Sequence, residues 1–437
     1  MGKKIRMDRR IFLKRTAAGA IGAGISGAAA WPFSQESEPI RPAVKIKEFR
    51  TLGRTGFRVS DLAAGSISDD GLLRFALDAG VNYIDSAEQY PGHHRLVGKV
   101  LKGRDRSQIF VASKIEVEED KSKEGFLKRA YKCLEELETD YLDCLMMHMP
   151  EKVETLKTEG FHQAMAVLKA EKRVHFVGVS NHGSFWFRDP AESMERVLQA
   201  AAEDGRFDVF LMAYNFLNLD QSGNVLRLAR QKNIGTVLMK TTPIGIYYSL
   251  KARIEQLQKE GKEVDPLYSE GLKRYQEKLD RAQEFIKRYN LQKPEEIRDA
   301  AIRFCLGNPD VGTVCVLAKT YGELEEHLRL SGTRLSQTEM TKLKAYQEGC
   351  GELYCRHACG RCEPSCPKGV PVNTILRYHH YFAAQGRERE AMELYARIPG
   401  SRADACRDCT GYCEKACPHG VPAQGMLLLA DSRLALP

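Results

Sequence analysis

The sequence predicts a (β/α)8 barrel of the TIM type, followed by a small α-helical domain built around cysteines. Two observations lead to this prediction. Short apolar runs alternate with amphipathic helical stretches from about residue 49 to 330, which is typical of parallel strands joined by helical crossovers. Nine of the 13 cysteines then lie between Cys350 and Cys417. Such a local crowd indicates a disulfide framework, a metal site or a metal cluster.

Seven candidate strands are apolar runs of four or five residues. They are Val81–Asp85, Ile109–Ser113, Cys144–His148, Phe176–Ser180, Val209–Ala213, Thr236–Met239 and Val314–Leu317. A doubly wound sheet shows the same alternation, but no Gly-x-Gly-x-x-Gly motif follows the first strand, and this favours the barrel. Tyr247–Gln292 is rich in charged residues with helical apolar spacing, so we predict one or two exposed helices inserted there.

The chain divides into four predicted segments. Its 437 residues suffice for one large domain and a smaller one. We expect a leader at 1–30, a linker at 31–48, the barrel at 49–345 and the cysteine-rich domain at 346–437. The formal net charge is +8. Most of it comes from the basic leader, so the charge gives no indication of a nucleic-acid-binding surface.

The leader is typical of a targeting segment. A basic start reaches Arg9-Arg10-Ile11-Phe12-Leu13-Lys14, and a weakly apolar stretch ends in Ala28-Ala29-Ala30. The apolar stretch is too short and too rich in glycine to span a bilayer stably. The RR-x-F-L-K run resembles the bacterial twin-arginine signal. That resemblance implies export to the periplasm, with membrane contact only during export. An ordinary secretory signal is the alternative.

Polar residues stand at the predicted C-terminal ends of the strands, where barrels of this kind place their chemistry. These residues are Asp85, Lys114, His148 and Ser180-Asn181, and Tyr90 follows Asp85 in a loop. A tyrosine hydroxyl can give a proton to a carbonyl oxygen while the carbon takes a hydride, and a nearby ammonium lowers the pKa of the tyrosine. The set predicts carbonyl reduction.

A family resemblance becomes specific at these residues. The runs LGRTGFRVSDLAAG, AGVNYIDSAEQY, VASK, DYLDCLMMHMP, VGVSNH, AYN and ELEEHL resemble aldo/keto reductases, in the same order, over residues 49–330. The resemblance implies that Tyr90 is the general acid, that Lys114 and Asp85 tune it, and that His148 orients the reacting groups. The expected substrate is a small carbonyl or alcohol compound.

The residues that would hold a nicotinamide cofactor depart from the family pattern. By the resemblance, Ser180 and Asn181 face the carboxamide of NADP(H). Leu211 stands where the family commonly has glutamine, and Thr241 where many members stack an aromatic ring. Lys319 could meet a 2′-phosphate or be an ordinary surface lysine. These departures leave open whether the barrel binds the cofactor or is a non-catalytic scaffold.

The C-terminal cysteines form two similar motifs that each end in Cys-Pro. They are Cys355-x3-Cys359-x2-Cys362-x3-Cys366-Pro367 and Cys406-x2-Cys409-x3-Cys413-x3-Cys417-Pro418. Three close cysteines and a fourth before proline are typical of bacterial two-cluster ferredoxins, in which the fourth cysteine ligates the other cluster. We expect two 4Fe-4S clusters, held by two groups: Cys355, Cys359, Cys362 and Cys417, and Cys406, Cys409, Cys413 and Cys366.

Several alternatives remain for this tail. Paired zinc sites, disulfides and a single cluster use similar cysteines, and Cys350 is a candidate substitute ligand. The helical pattern from Val372 to Ile398 resembles helical ferredoxin modules. The leading hypothesis is an exported oxidoreductase whose clusters relay electrons to or from an unknown redox partner. The second is an electron-transfer protein whose barrel only binds. The third is that the clusters are structural.

Overall fold

Strands and helices alternate along the chain in this computed structural model, as the apolar runs predict. The structure describes residues 43–117, 120–182, 192–259, 266–357 and 359–435. Ten strands lie within these ranges. They are β1 (Phe49–Thr51), β2 (Arg58–Ser60), β3 (Leu62–Ala64), β4 (Tyr83–Asp85), β5 (Phe110–Glu116), β6 (Leu142–His148), β7 (Val174–Asn181), β8 (Val209–Ala213), β9 (Gly235–Met239) and β10 (Thr313–Val316).

Eight of the strands form a closed parallel barrel in the order β10-β3-β4-β5-β6-β7-β8-β9. This confirms the predicted barrel, and all seven candidate strands are part of it. The first barrel strand, β3, escaped the prediction because it is only three residues long and holds two alanines. β1 and β2 pair as an antiparallel hairpin before it. The hairpin contributes Leu52 and Val59 to the core inside the barrel.

Two layers of apolar side chains hold the barrel. The inner layer fills the barrel itself with large residues such as Tyr83, Phe110 and Met146. The Tyr83 and Phe110 rings are stacked with centroids 5.2 Å apart. The outer layer packs the surrounding helices against the strands, as with Phe126 and Phe161. Because the interior is filled, ligands can only bind at the ends of the barrel.

The helices begin where the sequence supplies caps. Ser122, Ser193 and Ser336 each accept a hydrogen bond from the backbone of the first turn of a helix, which satisfies otherwise unpaired donors. The α-helices are α1 (Asp70–Asp78), α2 (His93–Leu101), α3 (Lys123–Leu137), α4 (Glu159–Ala170), α5 (Met194–Asp204), α6 (Leu219–Gln231), α7 (Gly245–Lys259), α8 (Pro266–Arg288), α9 (Pro294–Leu306), α10 (Tyr321–Leu328), α11 (Gln337–Cys350), α12 (Val372–Gln385), α13 (Glu388–Ala396), α14 (Tyr412–Lys415) and α15 (Ala423–Leu434).

The inserted helices α7 and α8 dock the cysteine-rich tail. We predicted exposed helices, but one face of α8 is buried, with Tyr275 and Leu279 packed in a second core. This core joins α8 to α11 and α15, and α7 to α12. The charged residues of α8 line its other face, and they dominated the sequence pattern.

The barrel and the tail belong to one compact unit, Arg41–Pro437. The predicted leader and almost all of the predicted linker lie outside the described residues. Within the part of the chain that the structure describes, no helix is both long and apolar enough to cross a membrane.

Candidate active site and cysteine-rich module

Lys114 and Asp85 form a buried ion pair at the C-terminal ends of β5 and β4. The ammonium of Lys114 lies 2.7 Å from both carboxylate oxygens of Asp85 and donates a third hydrogen bond to the Ser86 carbonyl oxygen at 2.5 Å. Only 1% of Lys114 is exposed. Burial raises the pKa of Asp85, and Lys114 opposes this shift. The pair fixes a cation beneath the mouth of the barrel.

Tyr90 lies directly beside this cation. The Lys114 Nζ is 5.1 Å from the centroid of the Tyr90 ring. Burial raises the pKa of Tyr90 well above its ordinary value; Asp85 adds to the shift, and Arg387 opposes it. We predicted that the lysine would lower this pKa, but the net shift is upward because desolvation outweighs the nearby cations. Tyr90 therefore stays protonated at neutral pH, as a proton donor must.

His148, at the end of β6, completes the predicted group of four. Its ring centroid is 6.4 Å from that of Tyr90. Burial lowers the pKa of His148 well below its ordinary value, so the ring is neutral. Its Nδ1 lies 2.8 Å from Gln89 Oε1, and a carbonyl-type oxygen accepts there only if Nδ1 carries the proton. The Nε2 atom is then an acceptor, and it has no partner in the structure.

Ser180 and Asn181 end β7 beside His148, and both are fully buried. Asn181 Nδ2 donates to the Pro150 carbonyl oxygen at 3.1 Å. The Ser180 hydroxyl has no hydrogen-bond partner among the described residues. Buried polar atoms are usually paired, so the hydroxyl is suited to a polar ligand.

The tail helix α12 covers this end of the barrel. The sequence did not predict the contacts between this helix and the barrel. Nothing in the cysteine motifs indicates what the helix between them packs against. Arg377 acts electrostatically on His148, and the ring of Tyr381 lies 4.1 Å from the Lys240 Nζ. Arg387, just beyond the helix, acts on Tyr90. The tail thus supplies side chains to the candidate active site.

His93 and His94 are buried in the first turn of α2. His93 Nδ1 lies 2.8 Å from Ser86 Oγ, and His94 Nε2 lies 2.8 Å from Ser113 Oγ. His93 therefore contacts the residue after Asp85, and His94 contacts the residue before Lys114. These contacts hold the ion pair in place.

The comparison with known proteins agrees with this geometry. The family model described as the aldo/keto reductase family matches residues 66–348, which is more than half of the chain. The chain belongs to the aldo/keto reductase family. It is therefore an oxidoreductase with an α/β barrel, and members of its family typically use NADP(H).

Individual relatives are distant. Methylglyoxal reductase DkgB of Salmonella typhi is 28% identical over 134 residues, which cover 30% of this chain and 47% of that protein. The match thus spans about half the length of that relative. L-galactose dehydrogenase of Arabidopsis thaliana is 24% identical over 332 residues, or 70% of this chain and 93% of that protein. A solved aldo-keto reductase from Bacillus halodurans, in its holo form, has a TM-score of 0.50 at 19% identity, covering 71% and 97% of the two chains, and it shows the fold alone.

The residues predicted to bind NADP lie on separate strands of the barrel. Ser180 and Asn181 end β7, and the exposed Lys319 follows β10, with β8 and β9 between them. Lys240, just after β9, lies against the ring of Tyr381. Gly386, in the turn after α12, lies close to the Lys319 ammonium. The role of these residues in binding NADP stays a prediction.

The eight motif cysteines fall into two groups, each combining three cysteines of one motif with the last cysteine of the other. In the first group Cys355 interacts electrostatically with Cys359 and Cys417, and Cys362 with Cys355 and Cys417. In the second, Cys406 interacts with Cys409, Cys413 and Cys366. We predicted the same two groups from the sequence, and their binding of iron stays a prediction. Cys362 also interacts electrostatically with Cys413 of the second group.

The two motifs repeat the same hydrogen bonds. Glu363, after the third cysteine of its motif, accepts from the Asn373 backbone at 2.7 Å. Glu414, in the same position of the second motif, accepts from the Gln424 backbone at 2.9 Å. The side chain of Asn373 binds the Arg356 carbonyl oxygen, and that of Gln424 binds the Cys406 carbonyl oxygen. The repeat places two equivalent cysteine loops around one pseudo-symmetric centre.

The surroundings of the sulfur atoms suit iron–sulfur clusters. Asn373 Nδ2 donates to Cys355 Sγ and the Val370 backbone to Cys366 Sγ, both at 3.4 Å. Both amide atoms of Gln221, a buried residue beside Cys359, have no ordinary hydrogen-bond partner. Hydrogen bonds to sulfur are the means by which proteins tune such clusters.

All thirteen cysteines are free thiols. Among the described residues, no three cysteine, histidine or acidic side chains are placed to hold a metal ion. Four thiolates on one zinc ion stand about 4 Å apart, and a four-iron cluster, which is larger than one ion, needs them further apart. Cys350 lies apart from both groups, among Tyr247, Tyr248 and Tyr346, so it is not placed as a substitute ligand.

Proposed function

We propose that this protein is an exported iron–sulfur oxidoreductase that reduces a small carbonyl compound, or oxidises the matching alcohol, at the mouth of its barrel. The observation that carries the proposal is the arrangement of Tyr90 beside the buried Lys114–Asp85 pair. It supplies a proton donor next to a fixed cation, which is what a carbonyl oxygen requires as it gains negative charge.

In this proposal each residue of the site has a separate role in the reaction. As the carbonyl carbon gains a hydride equivalent, the oxygen takes the proton of the Tyr90 hydroxyl. The Lys114 ammonium, held by Asp85, stabilises the negative charge left on the tyrosine. The neutral His148 presents an acceptor Nε2, which orients the hydroxyl of the substrate or of Tyr90. In the reverse direction the same groups remove the proton of the alcohol.

In this proposal the tail holds two 4Fe-4S clusters, one on each cysteine group. The clusters accept electrons from a partner protein when a carbonyl is reduced and pass electrons to it when the alcohol is oxidised. The sulfur hydrogen bonds and the crossed grouping support this. NADP(H) would supply the hydride when bound, with Ser180, Asn181 and Lys319 as its contacts. The twin-arginine-like leader supports export after folding, because that route carries proteins with cofactors already inserted.

The test compares Tyr90→Phe with the unaltered protein, purified anaerobically and assayed with NADPH and small aldehydes. The proposal expects carbonyl turnover to fall by about 10²- to 10⁴-fold while the visible absorbance of the clusters stays the same. Equal turnover in both proteins would refute Tyr90 as the proton donor.

A second candidate is an electron-transfer protein whose barrel is a binding scaffold. The cover of α12 over Lys240 and Tyr90 favours it. This candidate predicts reversible reduction of the clusters by a protein partner, and no carbonyl turnover with or without Tyr90.

A further inference from the structure

The contact zone between the barrel mouth and the tail contains several buried polar atoms that have no partner among the described residues. They are His148 Nε2, Ser180 Oγ, His182 Nδ1 and His357 Nε2. Each of these residues is at most 7% exposed. An unsatisfied buried polar atom lowers stability, and native structures hold few of them. Four in one place indicate a site that a polar ligand completes.

These atoms surround one point of the molecule. The rings of His148 and His182 have centroids 6.4 Å apart, and Ser180 pairs with His148 in the register of β6 and β7. His357, on the tail, acts electrostatically on His182. Barrel and tail therefore contribute to the same space.

The charge of this space is positive. Lys240 and Arg377 both act on His182, and no carboxylate acts on it comparably. Arg377 is 1% exposed and also acts on His148. Three acidic groups lie nearby: Glu363 interacts electrostatically with Arg377, Glu390 pairs with Arg387 at 2.5 Å, and Asp85 pairs with Lys114. Among the described residues, no carboxylate forms an ion pair with Lys240.

The backbone of Lys240 supports a binding role. Its φ is 58°, in the left-handed region that a residue with a Cβ adopts at a cost, and such strain concentrates at ligand sites. The Asn215 Nδ2 holds the Lys240 carbonyl oxygen at 2.9 Å. Burial and the nearby Arg387 and Arg377 lower the pKa of Lys240, and a bound anion would offset that loss of positive charge.

We propose that the barrel and α12 together bind a small carbonyl compound that carries a carboxylate, with Lys240 and Arg377 holding the carboxylate and the carbonyl group directed to Tyr90 and His148. The inference rests on the proposed function and names its substrate class. The carboxylate would take hydrogen bonds from both cations, and the carbonyl oxygen would receive its proton from Tyr90. The tail is then half of the substrate site.

The direct test is binding of malonate, an unreactive dicarboxylate, to the anaerobically purified holoprotein by calorimetry. Lys240→Gln should weaken binding at least tenfold, Lys240→Arg should largely preserve it, and Lys344→Gln, at an exposed lysine of α11, should leave it unchanged. Equal affinity in the unaltered protein, Lys240→Gln and Lys344→Gln, or no binding by any of them, would overturn the proposed site.

Turnover provides the second readout. Succinic semialdehyde and butanal differ mainly by the carboxylate, and the ratio of their kcat/KM values should exceed tenfold and fall in Lys240→Gln. A ratio near one overturns the substrate class while leaving the oxidoreductase intact. Malonate binding without turnover of either aldehyde supports the anion site and overturns the proposed reaction.

Discussion

The barrel and the tail are held together by different physical means. The barrel buries a continuous set of apolar side chains inside and outside its ring of strands. The tail has short helices, such as the four-residue α14, and counts Cys406 and Cys413 among its buried core residues. Small domains rich in cysteine often depend on disulfides or metals for part of their stability. The barrel therefore folds by burial of apolar side chains, and we propose that the tail gains stability both from its buried apolar residues and from bound clusters.

The two regions also divide the chemistry. The barrel holds Tyr90, Lys114 and His148 at strand ends, where a rigid scaffold fixes their geometry. The tail holds the cysteines and covers the barrel mouth with Tyr381 and Arg377. Substitutions in one region should leave the primary property of the other intact, and the predictions below test that separation.

The largest effect is expected at the barrel site. Tyr90→Phe should lower carbonyl turnover by about 10²- to 10⁴-fold because no other group replaces its proton. Iron content and thermal midpoint should stay the same, since the hydroxyl does not ligate the tail. Loss of iron in this variant would show that the two regions are not separable.

The next largest effect concerns the tail. Cys366→Ser should remove one cluster and lower the iron content from about eight to about four atoms per chain, with a lower thermal midpoint. Cys350→Ser is the matched control, because this buried thiol lies among tyrosines rather than among the other cysteines. Its cost should be about 1–2 kcal/mol with full iron content, and equal iron loss in both variants would contradict the assignment. Iron analysis and calorimetry measure both quantities.

Acid should destabilise the barrel through buried histidines. Burial lowers the pKa of His93 and of His327 to about 4. Below pH 6.5 these histidines take up protons in the unfolded chain but stay neutral in the folded chain. Their contribution to the free energy of unfolding is therefore present above pH 6.5 and is lost as the pH falls toward 4. By pH 5, protonation of each histidine should lower the free energy of unfolding by about 2 kcal/mol.

Urea unfolding at pH 7 and pH 5 measures this loss. His327→Leu should lose about 2 kcal/mol less between the two pH values than the unaltered protein. His175→Leu, at an exposed histidine, should lose as much as the unaltered protein. An unchanged pH dependence in His327→Leu would contradict the account.

The smallest effect is expected where the two regions meet. Asn215 Nδ2 donates to the Tyr354 hydroxyl at 3.2 Å, and Tyr354→Phe should reduce stability by about 1 kcal/mol. Tyr412→Phe, at an exposed tyrosine, should have no measurable effect. Thermal unfolding compares the two variants, and equal midpoints would show that this bond does not help to dock the tail.

Much of the fold followed from periodicity. Barrel strands buried on both faces form apolar runs that stand out in the sequence, so seven of the eight were found. β3 was missed because Leu62–Ala64 is short and rich in alanine. The buried face of α8 was missed because its charged residues dominate the pattern and its partner, α15, lies some 150 residues away.

Only the part of the site that lies at the strand ends was predictable from the sequence. Asp85, Lys114 and His148 end strands, so the barrel geometry brings them together whatever the loops do. The upward shift of the Tyr90 pKa was not predictable because desolvation depends on the cover of α12. Arg377, His182 and Lys240 were missed because no motif marks them and only the docked tail brings them together.

The most direct test of the account is the metal content of the tail. The mature chain, purified anaerobically, should contain about eight iron atoms and about eight acid-labile sulfides, and its reduced form should give an electron paramagnetic resonance signal of 4Fe-4S clusters. A chain that holds zinc in place of iron, or disulfides between the motif cysteines, would contradict the two-cluster module.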